Sequence, residues 1–336
     1  MARNKIKLIF YFKINLISFM FNNKEIKNGK GIMIYENGDK YEGEFRDNKK
    51  NGKGILQFKN KEGYLDGIYE GEFIDDKPNG EGIYYFDNGE KFEGRIKNDK
   101  ANGYGVYYYK NKNIEFEGFW ENDKRKGQGT NYYQNGNIEY EGNFVDNKFN
   151  GHGTYYFENG DKYCGEFKDG IIHGRGIFYY QNNDIYDGEW VDNYQDGKGT
   201  YYFVNGEKYQ GEFKGGRYDG HGIYFHKNGY IEHEGEYKND LRNGLGVSYH
   251  ENGEKEYEGH WIDDVLILSL TDNELDVEEA YECSICMNSI CNIITKCNHQ
   301  FCLECLSENF NISNKCPICR KEISVIDKIS RNMKKF

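Results

Sequence analysis

The sequence predicts a mainly β protein: an elongated array of about ten repeated hairpins forming one twisted antiparallel sheet, followed by a small zinc-stabilised module. Three observations carry this prediction. Among 336 residues there are 31 Tyr, 22 Phe and 42 Gly but only 2 Pro and hardly any Ala, a composition that favours strands and glycine turns over helices. An aromatic-x-Gly-x-aromatic pattern recurs at intervals of 23 or 24 residues, with one interval of 28. Seven of the nine cysteines and one histidine fall in four close pairs between Cys283 and Cys319.

In chain order, residues 1–27 are a basic, apolar extension with a net charge of +5. Residues 8–21 (LIFYFKINLISFMF) follow a basic start, as a signal peptide's apolar region does. Lys13 and Asn15 interrupt the run, which is shorter than the roughly 20 residues a spanning helix needs. A cleaved signal, a weak membrane anchor, an extra strand on the next domain, and an upstream extension with the true start at Met20 or Met33 all remain open at this point.

Residues 28–262 repeat. The aromatic-x-Gly-x-aromatic groups begin at Tyr41, Tyr69, Phe92, Phe116, Tyr140, Tyr163, Tyr186, Tyr209, His233 and Tyr257, and a Gly-x-Gly such as Gly174/Gly176 lies between successive groups. Residues two apart on a strand share a face, so Tyr163, Gly165 and Phe167 point one way, with a slot at the glycine for a neighbouring ring. The run after each Gly-x-Gly, such as Ile177 to Tyr180, is β-branched and aromatic and reads as the second strand. Asn-Gly dipeptides such as Asn37-Gly38 and Asn159-Gly160 offer a positive φ for the turn into the next unit. One hairpin cannot bury its own aromatic face, so the units must stack. This pattern resembles the MORN repeat, with its Y-x-G-x-[FW] core, over about 235 residues.

Three irregularities stand out in the array. An insertion around Lys59 to Asp66 accounts for the long interval. His233 replaces the leading aromatic of one unit and, without a partner at metal-ligand spacing, reads as a packed or capping histidine. After Trp261 the Gly-x-Gly fails, and residues 263–281 read as a capping strand and an acidic linker. The glycine pairs lack the strand-to-helix context and the Lys-Ser/Thr of a phosphate loop.

Residues 282–322 hold Cys283 and Cys286, Cys297 and His299, Cys302 and Cys305, and Cys316 and Cys319. Each pair can present two ligands to one metal, and eight ligands suffice for two closed tetrahedral Zn2+ sites. A disulfide framework fits poorly, because such scaffolds are small secreted chains and here some 280 residues are almost free of cysteine. Cys164 and Cys291 are left over and read as small buried or half-buried side chains. The order of three cysteines, one histidine and four cysteines resembles a RING finger of the C3HC4 type. The resemblance implies a cross-brace, with Cys283, Cys286, Cys302 and Cys305 on one zinc and Cys297, His299, Cys316 and Cys319 on the other.

It also implies a ubiquitin-conjugating enzyme and ubiquitin as partners. Ile285 stands where RINGs place the apolar residue that enters the conjugating enzyme's surface, and Pro317 and Ile318 match the adjoining wall. Arg320 matches the basic residue that contacts both enzyme and ubiquitin. Phe301 and Leu306 are expected around the short helix after Cys302. Asn309 stands where many RINGs carry Trp, which bears on the choice of conjugating enzyme. A basic tail, residues 323–336, follows.

The array carries 30 basic and 43 acidic residues, a net charge of −13. Such a body repels nucleic-acid phosphates and anionic lipid, so nucleic acid is not an expected partner, while a local basic patch such as Lys124-Arg125-Lys126 leaves room for weak phosphoinositide contact. No catalytic motif occurs elsewhere, so any enzymatic role falls to the zinc module. The leading expectation is a RING-type E3 ubiquitin ligase whose array recruits a substrate or sets location, cytoplasmic and in membrane or cytoskeletal association. The alternatives are a non-catalytic scaffold and a membrane tether.

Overall fold

The computed structural model describes residues 28–269, 285, 293–295, 300–301, 305, 315, 317–318, 320 and 326–328. The readings made of residues 1–27, of the linker after residue 269 and of Cys291 lie outside the described residues. The chain divides into two units, Met1–Ile138 and Glu139–Phe336.

The first unit runs through nine strands, from Asn28–Ile34 to Lys124–Tyr132, and the second through twelve, from Ile138–Val145 to Val265–Ser269. Among these strands, within each unit each pairs antiparallel with the next in sequence, and the second unit holds three further short strands after them. This is the hairpin-repeat fold expected from the sequence, and each aromatic-glycine group opens one unit of it.

The strands Lys162–Lys168 and Ile171–Tyr179 show how a unit is built. Tyr163 faces Phe178 and Gly165 faces Gly176, and the register then slips before Phe167 meets Ile172. Tyr163 is fully buried and Phe167 nearly so. A Cβ on Gly176 would lie 2.5 Å from the Tyr163 ring, and one on Gly165 would lie 2.5 Å from the Gly176 Cα. The glycine slot is therefore filled by the tyrosine of its own strand, and not by a neighbouring ring as the sequence suggested. Two facing glycines let the ring fold flat over both strands. Neighbouring units then close on its edge, with Trp190 at 5.4 Å between ring centroids.

The register slip is a bulge: His173, Gly174 and Arg175 stand on one strand against Glu166 alone on the other. The Tyr163 hydroxyl donates to the Glu166 carbonyl over 3.2 Å, satisfying a group that the bulge removes from the ladder. The Glu166 carboxylate accepts from the Arg175 N–H at 3.2 Å and lies against Gly174, whose φ of +78° only glycine takes easily. The same hydroxyl-to-carbonyl bond recurs from Tyr41 to Glu44, Tyr69 to Glu72, Tyr140 to Asn143, Tyr186 to Glu189 and Tyr209 to Glu212, at 2.9 to 3.1 Å.

Two kinds of turn alternate. The Asn-Gly segments form longer loops in which only the glycine has positive φ, as at Gly38 with +88°. The other turns have two residues, both left-handed, as at Asp47-Asn48, Asp75-Asp76 and Asp192-Asn193. Asp and Asn tolerate this conformation better than other residues with a Cβ, and two successive left-handed residues match the twist of a hairpin. These short turns also tie unit to unit. The Asn193 N–H donates to the Ile172 carbonyl at 3.0 Å and its Oδ1 accepts from the Ile172 N–H at 2.9 Å. Asp76 holds Lys50, and Asp240 holds Tyr218, in the same way.

The irregular units are explained by the same geometry. The insertion lengthens its strands to Lys49–Lys59 and Leu65–Ile74, with Lys59 paired to Leu65 and residues 60–64 forming the turn between them. His233 is packed, 1% exposed, with Nδ1 2.9 Å from the Ser248 hydroxyl and Trp261 edge-on at 5.1 Å. Val265–Ser269 pairs with Lys255–Ile262 after the last full unit. Cys164 differs from expectation: it is exposed, because it alternates outward beside buried Tyr163, and its Sγ lies 3.1 Å from the Thr154 hydroxyl.

Candidate functional site

In the cysteine-rich segment, Ile293–Thr295 pairs antiparallel with Gln300–Phe301 and, on its other side, with Ile326–Lys328. The first pairing brackets residues 296–299, which include the expected ligands Cys297 and His299. The second recruits part of the segment read as a basic tail: alternation of Ile326 with charged Asp327 and Lys328 is a short strand signal that three residues alone do not make conspicuous.

Of the eight expected zinc ligands, Cys305 is described and is half-buried. Cys283, Cys286, Cys297, His299, Cys302, Cys316 and Cys319 lie outside the described residues, as do Leu306 and Asn309. Among the described residues no three His, Cys, Asp or Glu side chains gather. The fit of zinc therefore rests on the donor set: seven soft thiolates and an imidazole, paired for tetrahedral sites, suit Zn2+ better than a hard cation.

The expected docking residues are all described. Ile285 is 43% exposed and Ile318 is 47% exposed, while Pro317 between Cys316 and Ile318 is half-buried. Arg320 is exposed, with φ +60°, a left-handed conformation that costs a residue with a Cβ about 1 kcal/mol. Two branched apolar side chains at such exposure, each next to an expected ligand in the sequence, are the kind of surface that loses water on binding a partner.

Elsewhere many tyrosine hydroxyls are committed to structure. Burial and then the Glu90 carboxylate, which accepts from Tyr107 at 2.6 Å, raise the Tyr107 pKa. Hydrogen bonds from Tyr107 and Asn88 hold Glu90 below the usual carboxylate range. Burial, with a smaller effect of Arg242, pushes His233 down to about 3, so it stays neutral and is not poised as a general base.

Comparison with known proteins separates the two parts of the chain. The MORN repeat family matches ten times, from residues 26–40 to residues 233–255, and the family described as Ring finger domain matches residues 281–320. The E3 ubiquitin-protein ligase RNF4 of Homo sapiens is 38% identical over 50 residues, covering 12% of this chain and 26% of that protein. The postreplication repair E3 ubiquitin-protein ligase rad18 of Neurospora crassa is 36% identical over 47 residues, covering 14% of this chain and 9% of that protein. The chain thus spans about a quarter or less of the length of these curated relatives. Among solved structures, the SAS-4 TCP domain of Drosophila melanogaster aligns with a TM-score of 0.21 and 15% identity over 65% of this chain and 96% of that one, too low to bear on the fold.

Proposed function

The chain belongs to the MORN-repeat family and carries a RING finger after its repeats, and from that premise we propose that it is a RING-type E3 ubiquitin ligase. The observation that carries the reading is the eight-ligand spacing with apolar Ile285 and Ile318 exposed beside ligand positions. Cys283, Cys286, Cys302 and Cys305 would hold one zinc, and Cys297, His299, Cys316 and Cys319 the other. Zinc supplies folding energy in such a module and takes no part in the chemistry.

The chain contributes no nucleophile. Ile285, Pro317 and Ile318 receive the ubiquitin-conjugating enzyme, and Arg320 restrains the ubiquitin joined to it by a thioester. A substrate lysine then attacks the thioester carbonyl, the isopeptide bond forms, and the conjugating enzyme's thiolate leaves. Restricting the thioester to a reactive orientation lowers the entropic part of the barrier. The array brings the substrate, and a cytoplasmic location keeps the thiols reduced.

The test is auto-ubiquitination by the full chain across a panel of conjugating enzymes, with zinc content measured on the same samples. Transfer by zinc-replete protein supports the reading. If folded, zinc-replete protein transfers nothing with any of them, Asn309 in place of the usual Trp favours the second reading, a scaffold whose RING only binds.

A further inference from the structure

On the outer face of the array, beside the paired glycines, cross-strand neighbours carry opposite charges: Lys53 faces Glu72, Glu81 faces Arg95 and Lys198 faces Glu212. At one unit the same register holds Tyr104 opposite Phe119. These rings are 53% and 51% exposed and meet edge to face at 5.9 Å. Two large rings at this exposure, in a register that sets a basic residue against Glu in several other units and Leu245 against His260 in one, call for something other than the folding of the sheet.

A second difference lies next to them. In other units the residue facing the bulge lies over the left-handed glycine in it, so that a Cβ on Gly52, Gly80 or Gly220 would sit 3.0 Å from the Cβ of Glu44, Glu72 or Glu212 and against its carboxylate. Phe119 is the residue facing the bulge here and leans toward Tyr104 instead. Nothing among the described residues comes within 4 Å of a Cβ on Gly127. The rings thus stand beside an open notch with bare backbone as its floor.

We propose that Tyr104, Phe119 and the notch over Gly127 dock a basic segment of a partner protein, with a Lys or Arg side chain lying on the rings. Glu117 and Glu121 flank Phe119 two positions away on the same strand and share its face; Glu121 is paired with Lys126, and Glu117, which among the described residues accepts only from the neutral Tyr132 hydroxyl at 2.6 Å, keeps its charge for the cation. The array's 43 acidic residues against 30 basic ones draw in a cationic segment and oppose a second copy or an anionic membrane. The fold already uses this contact within itself, with Lys91 Nζ 3.9 Å from the Tyr108 ring centre and Lys208 Nζ 4.0 Å from that of Phe225. The docking surface stands independently of ubiquitin transfer.

Fluorescence anisotropy of a fluorescein-labelled octa-lysine peptide with the full chain tests this. Tyr104→Lys with Phe119→Glu rebuilds the facing opposite charges of Lys53 and Glu72 and leaves the net charge unchanged, so it separates the rings from the overall field. We expect binding about tenfold weaker in this double variant, with thermal unfolding unaltered, and Tyr85→Ala, at another exposed aromatic, binding as the wild type does. If the double variant fails to fold, Phe119→Ser alone should weaken binding about threefold. Equal affinity of wild type and ring variants overturns the proposal. So does a ring-dependent association of the chain with itself, or with phosphatidylserine vesicles, in the absence of ring-dependent peptide binding.

Discussion

The Tyr163 hydroxyl and the Glu166 carbonyl lie 3.2 Å apart across the bulge that separates Gly165 from Phe167. One side chain thereby covers two glycines with its ring and satisfies the backbone with its oxygen. Tyr163→Phe keeps the ring and loses the bond, and Phe92 and Phe116 occupy the equivalent place in their units. The expected cost is about 1 kcal/mol in denaturant unfolding. Gly165→Val puts a Cβ 2.5 Å from the Gly176 Cα, where backbone must move, and should cost about 3 kcal/mol or more. Equal costs for the two variants would mean that the ring does not need the glycines.

The pH dependence of stability follows from His233, whose folded pKa of about 3 lies below its ordinary 6.5 because burial disfavours the imidazolium. The unfolded chain takes up a proton below about pH 6.5 while the folded one does not. Stability from this group is complete above pH 6.5 and is lost as pH falls toward 3, by about 1.4 kcal/mol per pH unit at most. The groups packed on it are Ser248, Tyr237 and Trp261, with Arg242 adding a like charge that acts in the same direction. Burial lowers the His260 pKa too, which adds to the slope. Chemical denaturation between pH 7 and pH 5 should show the loss, and His233→Tyr should flatten it. An unchanged slope in that variant would remove His233 as its source.

Asn193 has two duties, a φ of +72° and a side-chain bond to Ile172, and two substitutions separate them. Asn193→Gly keeps the backbone and loses the bond, the situation at Gly170 and Gly216, whose N–H groups still reach Phe149 and Gln195 at 2.9 Å. Asn193→Ala loses the bond and strains the turn, and should be about 1 kcal/mol less stable than Asn193→Gly. Equal stability of the two would show that the turn relaxes.

Much of this architecture is legible in the sequence because the repeat is written in side chains with one geometric use. Tyr-x-Gly-x-Phe marks a strand with a covered glycine, and Gly-x-Gly marks its partner. The bulge is harder to see: its left-handed Gly174 is the first glycine of the Gly-x-Gly, but that dipeptide spacing does not say that three residues there face Glu166 alone. The two-residue turns were visible in principle, as Asp-Asn, Asn-Asp or Asp-Asp pairs after nearly every second aromatic, but the stronger Asn-Gly signal masked them. Tyr104 and Phe119 look like two more aromatics in an aromatic-rich chain. Only the register, which sets them against charged pairs elsewhere, distinguishes them. The zinc module reads well because ligand spacing is a local property, whereas the pairing of Ile326–Lys328 with Ile293–Thr295 is a long-range contact that spacing cannot encode.

Metal analysis of protein purified without chelator should give two zinc ions per chain. A module of this size has too little core to fold alone, and a structural zinc supplies about 10 to 16 kcal/mol in comparable peptides. Chelation should therefore abolish hydrogen-exchange protection in the paired residues Ile293, Ile294, Gln300 and Phe301 and leave that of the strand Lys162–Lys168 intact. One zinc or none would contradict the eight-ligand assignment.

The most direct measurement of the central claim is ubiquitin transfer by Ile285→Ala, normalised to zinc content, beside wild type and Arg320→Ala. Ile285 is exposed, so its removal leaves the metal sites in place. The account predicts two zinc ions in all three proteins, a loss of roughly tenfold or more in transfer for Ile285→Ala, and a slower transfer with a smaller loss of docking for Arg320→Ala. Wild-type transfer rates in a zinc-replete Ile285→Ala protein would contradict it.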